Sequence, residues 1–251
     1  MGRFDRAVRL ARSLAIYHAI PLRQRRMRRF YSAFIGPGDL VFDVGAHAGN
    51  RVRAFAALGC RVIALEPQPD FVRLLRTLFA RSPRIEIVEA AVGRAPGRAE
   101  LSISERTPTV TTMADDWLGA RALDPDFAGV RWNRRIEVET TTLDRLIAQF
   151  GAPAFIKIDV EGNEPAVLAG LTHAVAALSF EYLPRALGHV RQCVERLMTL
   201  GSYRFNWSPG ESYALAERAW VTERELLAHL GSAGGPRRAG DVYARLVVAD
   251  A

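Results

Sequence analysis

The stretch GDLVFDVGAHAGN, residues 38–50, decides how the rest of this sequence is to be interpreted. An apolar run that begins at Leu40 leads into Gly45, and Gly49 stands directly before a helical pattern. A short buried strand that ends in glycines and passes into a helix is typical of the first βαβ unit of a nucleotide-binding sheet. We therefore predict a strand over residues 40–46, a ligand-binding turn, and a helix that ends at Gly59.

Beyond this stretch, strand-like and helical patterns alternate. Further strands are predicted over residues 61–67, 84–93, 154–162 and 177–184, with helical segments between them, and two more strand-like runs bracket a polar loop over residues 104–134. In the tail, SYALAERAW (212–220) and DVYARLVVA (241–249) are expected to form an antiparallel edge. The alternation predicts an α/β fold with a doubly wound, mostly parallel sheet and helices on both faces.

The basic residues are unevenly distributed. Residues 1–30 hold nine arginines and one acid, whereas residues 31–251 carry a net charge of −1. We divide the chain into a basic amphipathic helical arm (1–35) and a ligand-binding domain (36–251). The arm is expected to pack its apolar stripe on the domain and expose its arginines. The alternative is a basic surface for an anionic partner or for peripheral membrane contact through residues 1–30. Because the domain itself is near neutral, nucleic acid is a disfavoured partner.

Composition excludes several classes of protein. The chain has 251 residues and is 49% hydrophobic, which suits a globular protein. It contains no apolar run of about 18 residues, so no transmembrane helix is expected, and its first residues do not have the pattern of a signal peptide. Cys60 and Cys193 fit no metal spacing and are expected to be buried thiols in a reducing cytoplasm. The sequence does not determine the oligomeric state.

The spacing of the glycines favours one kind of cofactor. A dinucleotide fingerprint needs a second glycine where this chain has His47, so the close backbone approach to a pyrophosphate is lost. Glu66 follows 21 residues after Gly45 and is placed to accept both hydroxyls of a ribose. A ribose without a pyrophosphate favours S-adenosylmethionine, with Asp43 near its cationic end and His47 as a contacting loop residue. An NAD-dependent dehydrogenase is the weakest alternative.

The stretch also takes part in a wider resemblance. Together with VIALEPQPD (62–70), EAAVG (89–93), TTTLDRLI (140–147) and, most specifically, FIKIDVEGNEPAVLAGL (155–171), it resembles the FkbM family of S-adenosylmethionine-dependent methyltransferases. The resemblance extends from about Gly38 to about residue 205 and implies a Rossmann-like class I methyltransferase fold. It carries over as cofactor contacts Asp43, Gly45, Gly49 and Glu66, with Ala91 beside the adenine. The family usually has asparagine in place of His47.

Lys157 is the one lysine among 34 strongly basic residues. On the predicted strand, Lys157, Asp159 and Glu161 project to one side. A buried ammonium must be paired or lose its proton, and the candidate partners are Asp159, Asp43 and Glu181. We interpret Lys157 as an internal counter-ion in a slot too narrow for the planar guanidinium of arginine. A neutral catalytic base and a chance exception to an arginine bias are the alternatives.

The remaining carboxylates are assigned by their position on the strands. Because a neighbouring lysine lowers the pKa of a carboxyl, Asp159 is assigned to the cofactor's ammonium or to fixing Lys157. Glu161 and Glu181 are the general-base candidates, although Glu161 is also placed to cap the turn into the next helix, whose predicted N-cap is Asn163. No metal ligand is assigned; a Mg²⁺ site on Asp159, Glu161 and Glu164 is the disfavoured alternative.

The resemblance implies O-methylation of a hydroxyl on a saccharide or a secondary metabolite. The polar loop has two interpretations: either Thr109, Thr111 and Thr112 hydrogen-bond a polyol acceptor and Trp117 stacks on a sugar, or it is a surface loop with one anchoring tryptophan. An RNA methyltransferase that uses the arginine-rich arm and a cofactor-binding protein without turnover are the rival functions.

Overall fold

The computed structural model describes residues 21–104, 111–113, 132–184, 186–232, 234–236 and 238–247. Within these ranges the helices are α1 Pro21–Tyr31, α2 Asn50–Ala57, α3 Pro69–Leu78, α4 Leu143–Phe150, α5 Glu164–Ala169, α6 Leu187–Leu200 and α7 Glu223–Gly231. The strands are β1 Leu40–Val44, β2 Arg61–Leu65, β3 Ile85–Val88, β4 Ala91–Val92, β5 Gly97–Ser104, β6 Thr111–Thr112, β7 Trp132–Thr141, β8 Phe155–Ile158, β9 Ala177–Tyr182, β10 Tyr203–Pro209 and β11 Gly240–Leu246.

The main sheet has seven strands in the order β10-β11-β9-β8-β1-β2-β3. The strands from β9 to β3 pair in parallel, and β11 is antiparallel to both β9 and β10. The predicted doubly wound, mostly parallel sheet is confirmed. Strand order reverses between β1 and β8, and ligands of such sheets bind at this switch point, beside the carboxyl ends of the strands.

Helices cover both faces of this sheet. The face with α1, α2 and α3 packs around Met27, Phe55 and Leu75, and the opposite face packs α4 to α7 around Leu146, Leu168 and neighbouring side chains. Because side chains alternate along a strand, apolar residues such as Phe42 and Val44 enter the second core. The residues between them face α1 and α2.

One row of side chains on the α1–α2 face is polar. The strand register aligns Asp43 on β1 with Lys157 on β8, Ser179 on β9 and Tyr243 on β11. Registered neighbours point to the same face, and all four residues are at most 1% exposed. This row places ionisable groups inside the sheet directly below the ligand-binding edge.

A smaller sheet changes one of the predicted strands. Residues 84–93 were expected to form a single strand, but β3 ends at Val88 and β4 belongs to a second sheet with the order β4-β7-β5-β6. The prediction of one strand was wrong because the backbone turns at Ala90, whose N–H bonds to the Val88 carbonyl. After this turn, Ala91 pairs with Thr140 instead of with the main sheet.

The predicted pairing of residues 212–220 with residues 241–249 in the tail was also wrong. Residues 212–220 form no strand; Tyr213 has a φ of 48°, which interrupts an extended conformation. The partner of β11 is β10, and β11 lies inside the sheet between β10 and β9. Three consecutive buried residues, Val242, Tyr243 and Ala244, are typical of a strand covered on both faces.

The described part of the predicted arm, residues 21–35, contains helix α1. Tyr31 is fully buried, and its ring meets Phe55 and Phe155 edge-on at centroid distances of 4.8 and 5.7 Å. On the outer side of the helix, Arg26 Nη2 donates to the Ser212 carbonyl at 2.9 Å. Helix α1 thus packs its apolar side on the sheet. Residues 1–20 of the arm lie outside the described residues, and the division into an arm and a domain stays a prediction.

Candidate active site

The turn after β1 is shaped by two glycines. Gly45 has a φ of +85°, and a Cβ built on it would overlap the backbone oxygen of Asp159. Gly49 has a φ of +78°, and its Cβ would come within 2.7 Å of Leu75 and Phe79 side-chain atoms. Both positions therefore require glycine for contacts within the protein: Gly45 lets the loops after β1 and β8 touch, and Gly49 lets α2 begin against α3.

Glu66 connects the turn after β1 to the end of β2. Its Oε2 accepts from the His47 N–H at 2.9 Å and its Oε1 accepts from the Gln68 N–H at 2.8 Å. Burial raises the pKa of Glu66, and the positive field of His47 and the two backbone donors act against that rise. The carboxyl group is 1% exposed, so it is held in one orientation at the ligand-binding edge.

A first depression, the apolar cleft, opens beside Glu66. It lies between the ends of β1 and β2 and the second sheet, and the predicted cofactor residues Gly45, His47, Glu66 and Ala91 all line it. The wall is mostly apolar and carries the carboxylates of Glu66 and Asp159. This chemistry suits a nucleoside, whose base needs an apolar surface and whose ribose hydroxyls need an acceptor. The free volume of the cleft is about 30 Å³, so the loops around it must separate to admit a nucleoside.

Two other groups of predicted residues lie elsewhere than expected. Thr111 and Thr112, expected on the side of a polyol acceptor, line the apolar cleft. Asp43 and Gly49 are outside its wall. Thr109 and Trp117 lie outside the described residues.

A second depression, the acidic cleft, has a volume of about 270 Å³. Five carboxylate residues line it, together with His47 and Arg51: Asp159, Glu161, Glu181, Glu211 and Asp241. Asp159 and His47 belong to the walls of both clefts. The two clefts therefore adjoin at these residues, at the carboxyl ends of β1 and β8.

Lys157 lies fully buried below this junction. Its Nζ donates to Asp241 Oδ1 at 2.8 Å and to the Ile158 carbonyl at 3.0 Å, and it lies 3.9 Å from Asp159 Oδ2. Burial works against the charged form, but the carboxylates of Asp241 and then Asp159 outweigh it, so the pKa of Lys157 is raised. The lysine is an ammonium at every physiological pH, which argues against its use as a neutral base.

The main partner of Lys157 differs from the three candidates taken from the sequence. Asp241 on β11 lies 2.8 Å from the ammonium, whereas Asp159 lies 3.9 Å away and Asp43 accepts no hydrogen bond. The sequence did not indicate Asp241 because β11 was expected at an edge. One signal was available: the first residues of an antiparallel strand lie at the carboxyl edge of its parallel neighbours.

The register explains how Lys157 reaches Asp241. Strand β9 lies between β8 and β11, and Ser179 is the residue of β9 beside Lys157. Because serine is small, the lysine side chain passes over it towards the edge of the sheet. A compact ammonium on a flexible stem suits this passage better than the planar guanidinium of arginine.

Asp159 carries the negative charge at the junction of the clefts. Its Oδ2 lies 2.7 Å from Arg51 Nη1. Burial acts to raise the pKa of Asp159, but the positive charges of Lys157 and Arg51 outweigh burial and lower the pKa to about 2. Asp159 is therefore ionised at neutral pH and is a poor proton acceptor. Arg51 was missed in the sequence, where the available signal was a basic residue in the first turn of the helix after the glycine turn.

The predicted alternation along residues 154–162 was wrong beyond Ile158, where β8 ends. Glu161 has a φ of +53° in the following turn, so its direction is set by the turn and not by a strand. The turn nevertheless brings Glu161 to the wall of the acidic cleft, which Glu181 from β9 also lines.

The side chain of Glu164 is buried and forms a hydrogen bond within the protein. It is 3% exposed, and its Oε1 accepts from the Val160 N–H at 3.2 Å. Asn163 is at the N-cap position of α5 as predicted, but its side chain makes no capping hydrogen bond. In the part of the chain that the structure describes, no group of three or more His, Cys, Asp or Glu residues is arranged to hold a metal ion.

Asp43 is the exceptional group of the site. It is 1% exposed, and neither of its carboxyl oxygens has a hydrogen-bond partner. Burial raises its pKa to about 7, with Arg51 and Lys157 acting in the opposite direction. Asp43 lines neither cleft, so its charge acts on the cationic end of S-adenosylmethionine only through the intervening atoms, while the apolar cleft and Glu66 suit its adenosine. The residues present thus fit this cofactor.

The sheet order and the clefts together define the class of this protein. A doubly wound sheet with an antiparallel strand inserted beside its last parallel strand is a Rossmann-like class I methyltransferase fold, and the protein is an S-adenosylmethionine-dependent methyltransferase. The chain belongs to the FkbM methyltransferase family: the family model described as "Methyltransferase FkbM domain" matches residues 43–205. The resemblance found in the sequence is confirmed. No curated protein matches the chain.

Several solved structures are similar in fold. An O-methyltransferase from Bacillus cereus in complex with SAH has a TM-score of 0.46 at 12% identity, over 95% of this chain and 90% of that chain. A precorrin-6y C5,15-methyltransferase from Geobacter metallireducens has a TM-score of 0.45 at 11% identity, over 89% and 87%. These likenesses are too distant to bear on the chemistry of this chain. Among the described residues no helix is long and apolar enough to cross a membrane.

We expect the Asp43→Asn variant to be more stable than the wild type at pH 8. The native-state pKa of Asp43, about 7, lies above the unfolded value of about 3.9. The contribution of Asp43 to stability is therefore fully present below pH 4 and is lost as the pH rises to 7. One pKa unit corresponds to about 1.4 kcal/mol, so the gain should be about 4 kcal/mol at most.

Urea unfolding at pH 4.5 and pH 8 measures this effect. The difference in free energy of unfolding between the variant and the wild type should grow with pH, while the variant's affinity for S-adenosylhomocysteine should fall because a negative charge near the site is lost. An equal difference at both pH values would contradict the buried, unpartnered state of Asp43.

Proposed function

We propose that this protein transfers a methyl group from S-adenosylmethionine to a hydroxyl of a saccharide or a small secondary metabolite. The observation that supports this proposal most directly is the meeting of the apolar cleft and the acidic cleft at Asp159 and His47. A cofactor held in the first cleft faces an acceptor held in the second. When bound, S-adenosylmethionine supplies an activated methyl group on its sulfonium.

The residues of the apolar cleft hold and orient the cofactor in this proposal. Glu66 accepts hydrogen bonds from the ribose, and the wall at Ala91 lies beside the adenine. Asp43 and the ionised Asp159 provide negative charge for the cationic end. Because Asp159 is held by Arg51 and Lys157, it has a fixed position before any ligand binds, which favours orientation of the reacting groups.

An acceptor hydroxyl must lose a proton during methyl transfer. Asp159, with a pKa of about 2, and the ammonium of Lys157 are unsuited to accept it. Glu161 and Glu181 line the acidic cleft, and a carboxylate oxygen of one of them takes the proton. Lys157 acts through Asp159 and Asp241 and is a positioning residue in this scheme.

The acidic cleft favours a polyol over a nucleic acid. The phosphates of RNA would meet the carboxylates of Asp159, Glu161 and Asp241, whereas sugar hydroxyls donate hydrogen bonds to carboxylates. Two arginines of α1 already have partners in the tail: Arg23 pairs with Glu211, and Arg26 binds the Ser212 carbonyl.

Labelled methyl transfer from S-adenosylmethionine into glycan, small-molecule and RNA fractions tests the proposal. We expect label in a base-stable ether in the glycan or small-molecule fraction. Label in RNA would overturn the acceptor assignment. The reaction is run once with EDTA and once with Mg²⁺. Activity only in the presence of Mg²⁺ would show that a metal ion takes part in the reaction.

With the acceptor identified, one of the variants Glu161→Gln and Glu181→Gln should lose the base. A general base contributes roughly 10²–10⁴ in rate, so kcat should fall by about that factor while the affinity for S-adenosylhomocysteine stays within twofold. Glu195→Gln is the matched control, because Glu195 is exposed on α6. Full activity in both cleft variants would exclude these residues as bases.

A further inference from the structure

Asp241 is a cleft residue that lies beyond the part of the chain matched by the family model, which ends at residue 205. It is the second residue of β11. Because β11 is antiparallel to β9, Asp241 lies at the carboxyl edge of the parallel strands, in register with Glu181. Its side chain is 15% exposed and lines the acidic cleft. Its Oδ2 accepts from the Tyr243 hydroxyl at 3.3 Å.

Asp241 is the first of four charges that alternate in sign. Its Oδ1 binds Lys157 at 2.8 Å, Lys157 lies 3.9 Å from Asp159 Oδ2, and that same oxygen lies 2.7 Å from Arg51. The ammonium is anchored by Asp241 and by the Ile158 carbonyl. It therefore stays beyond direct hydrogen-bond distance of Asp159, whose Oδ2 is left to Arg51.

We propose that Asp241 is a positioning residue for cofactor binding: by holding Lys157, it keeps Asp159 paired with Arg51 and directed at the junction of the two clefts. This inference rests on the assignment of the clefts under the proposed function. Lys157 has two carboxylates within 4 Å. Without the Asp241 charge, Asp159 is the remaining one, and an ammonium that binds it directly competes with Arg51 and with the cofactor.

The Asp241→Asn variant tests this role, with S-adenosylhomocysteine as the probe and isothermal titration calorimetry as the measurement. We expect the Kd to rise about tenfold. Val242→Ala is the matched control, because Val242 is the next residue of β11 and is buried in the core on the other face. It should lower the melting temperature and leave the Kd unchanged within twofold.

The pH dependence of the Kd for S-adenosylhomocysteine distinguishes a positioning role from a packing role, because a loss of packing would not shift it along the pH axis. The groups that act on Asp43 are Arg51 on α2, Lys157 on β8, Asp159 after β8 and Glu66 after β2. Removal of the Asp241 charge leaves more of the Lys157 field to act on Asp43 and lowers its pKa. The fall in affinity at acid pH should therefore begin at a lower pH in Asp241→Asn than in the wild type.

The outcomes separate this inference from the proposed function. Failure of the wild type to bind S-adenosylhomocysteine would overturn the cleft assignment itself. Binding by the wild type, with a Kd and pH profile in Asp241→Asn equal to those of the wild type, would overturn the positioning role. A variant that changes only its melting temperature, as Val242→Ala does, would show that Asp241 is structural and would overturn it as well.

Discussion

Replacement of Gly45 by alanine should remove cofactor binding while most of the protein remains folded. Gly45 has a φ of +85°, and a methyl group there would overlap the Asp159 backbone oxygen. A residue other than glycine in the left-handed region is strained by about 1–2 kcal/mol, and the overlap forces one of two loops to shift. Both loops line the apolar cleft, so we expect at least about a 100-fold loss of affinity for S-adenosylhomocysteine and a loss of stability of about 2–4 kcal/mol.

Titration calorimetry and urea unfolding measure the two effects of Gly45→Ala. Gly188→Ala is the control, because Gly188 lies at the start of α6 and a Cβ there would meet no atom within 4 Å. That variant should bind like the wild type and unfold at the same or a slightly higher urea concentration. Wild-type affinity in Gly45→Ala would mean that the loops after β1 and β8 do not need their close contact to form the cleft.

Lys157→Met should be the most destabilising substitution at the site. It leaves Asp241 and Asp159 without the ammonium that lies 2.8 and 3.9 Å from their oxygens. Loss of one partner from a buried ion pair lowers the free energy of unfolding by about 3–5 kcal/mol. Urea unfolding at pH 7.5 measures this loss, and the variant should also bind S-adenosylhomocysteine weakly because Asp159 loses one of its two cations.

Lys157→Arg separates the charge of this residue from its shape. The guanidinium keeps the positive charge but is wider than the ammonium and must pass Ser179 to reach Asp241. We expect a smaller loss of stability than in Lys157→Met, about 1–3 kcal/mol, as for overpacked cores. If Lys157→Arg unfolds and binds like the wild type, the narrow passage is not the reason for a lysine at this position.

Much of the site was predictable because its signals are local. The glycine turn, the acid 21 residues after Gly45 and the absence of a second glycine at His47 depend on spacings within one βαβ unit. The structure brings Gly45, His47, Glu66 and Ala91 to one cleft. Spacing within such a unit fixes position because the strand and helix have regular rises per residue.

The errors arose where the chain leaves regular structure. The strand predicted over residues 154–162 ends at Ile158, and the one predicted over 84–93 is divided between two sheets. Alternation of side chains holds only while the backbone remains extended. The position of Glu161 therefore follows from its left-handed φ, which the sequence pattern did not indicate.

The sequence by itself determined the alternating α/β pattern, the glycine turn, the acid at the end of the second strand and the presence of a lone lysine among acids. Only the tertiary structure decided which charges meet. Lys157 pairs with Asp241, 84 residues away, because β11 is inserted beside β9 and Ser179 leaves room between them. The energy of an ion pair depends on the distance between its charges in space. That distance depends on strand order, which residue spacing along the chain does not specify.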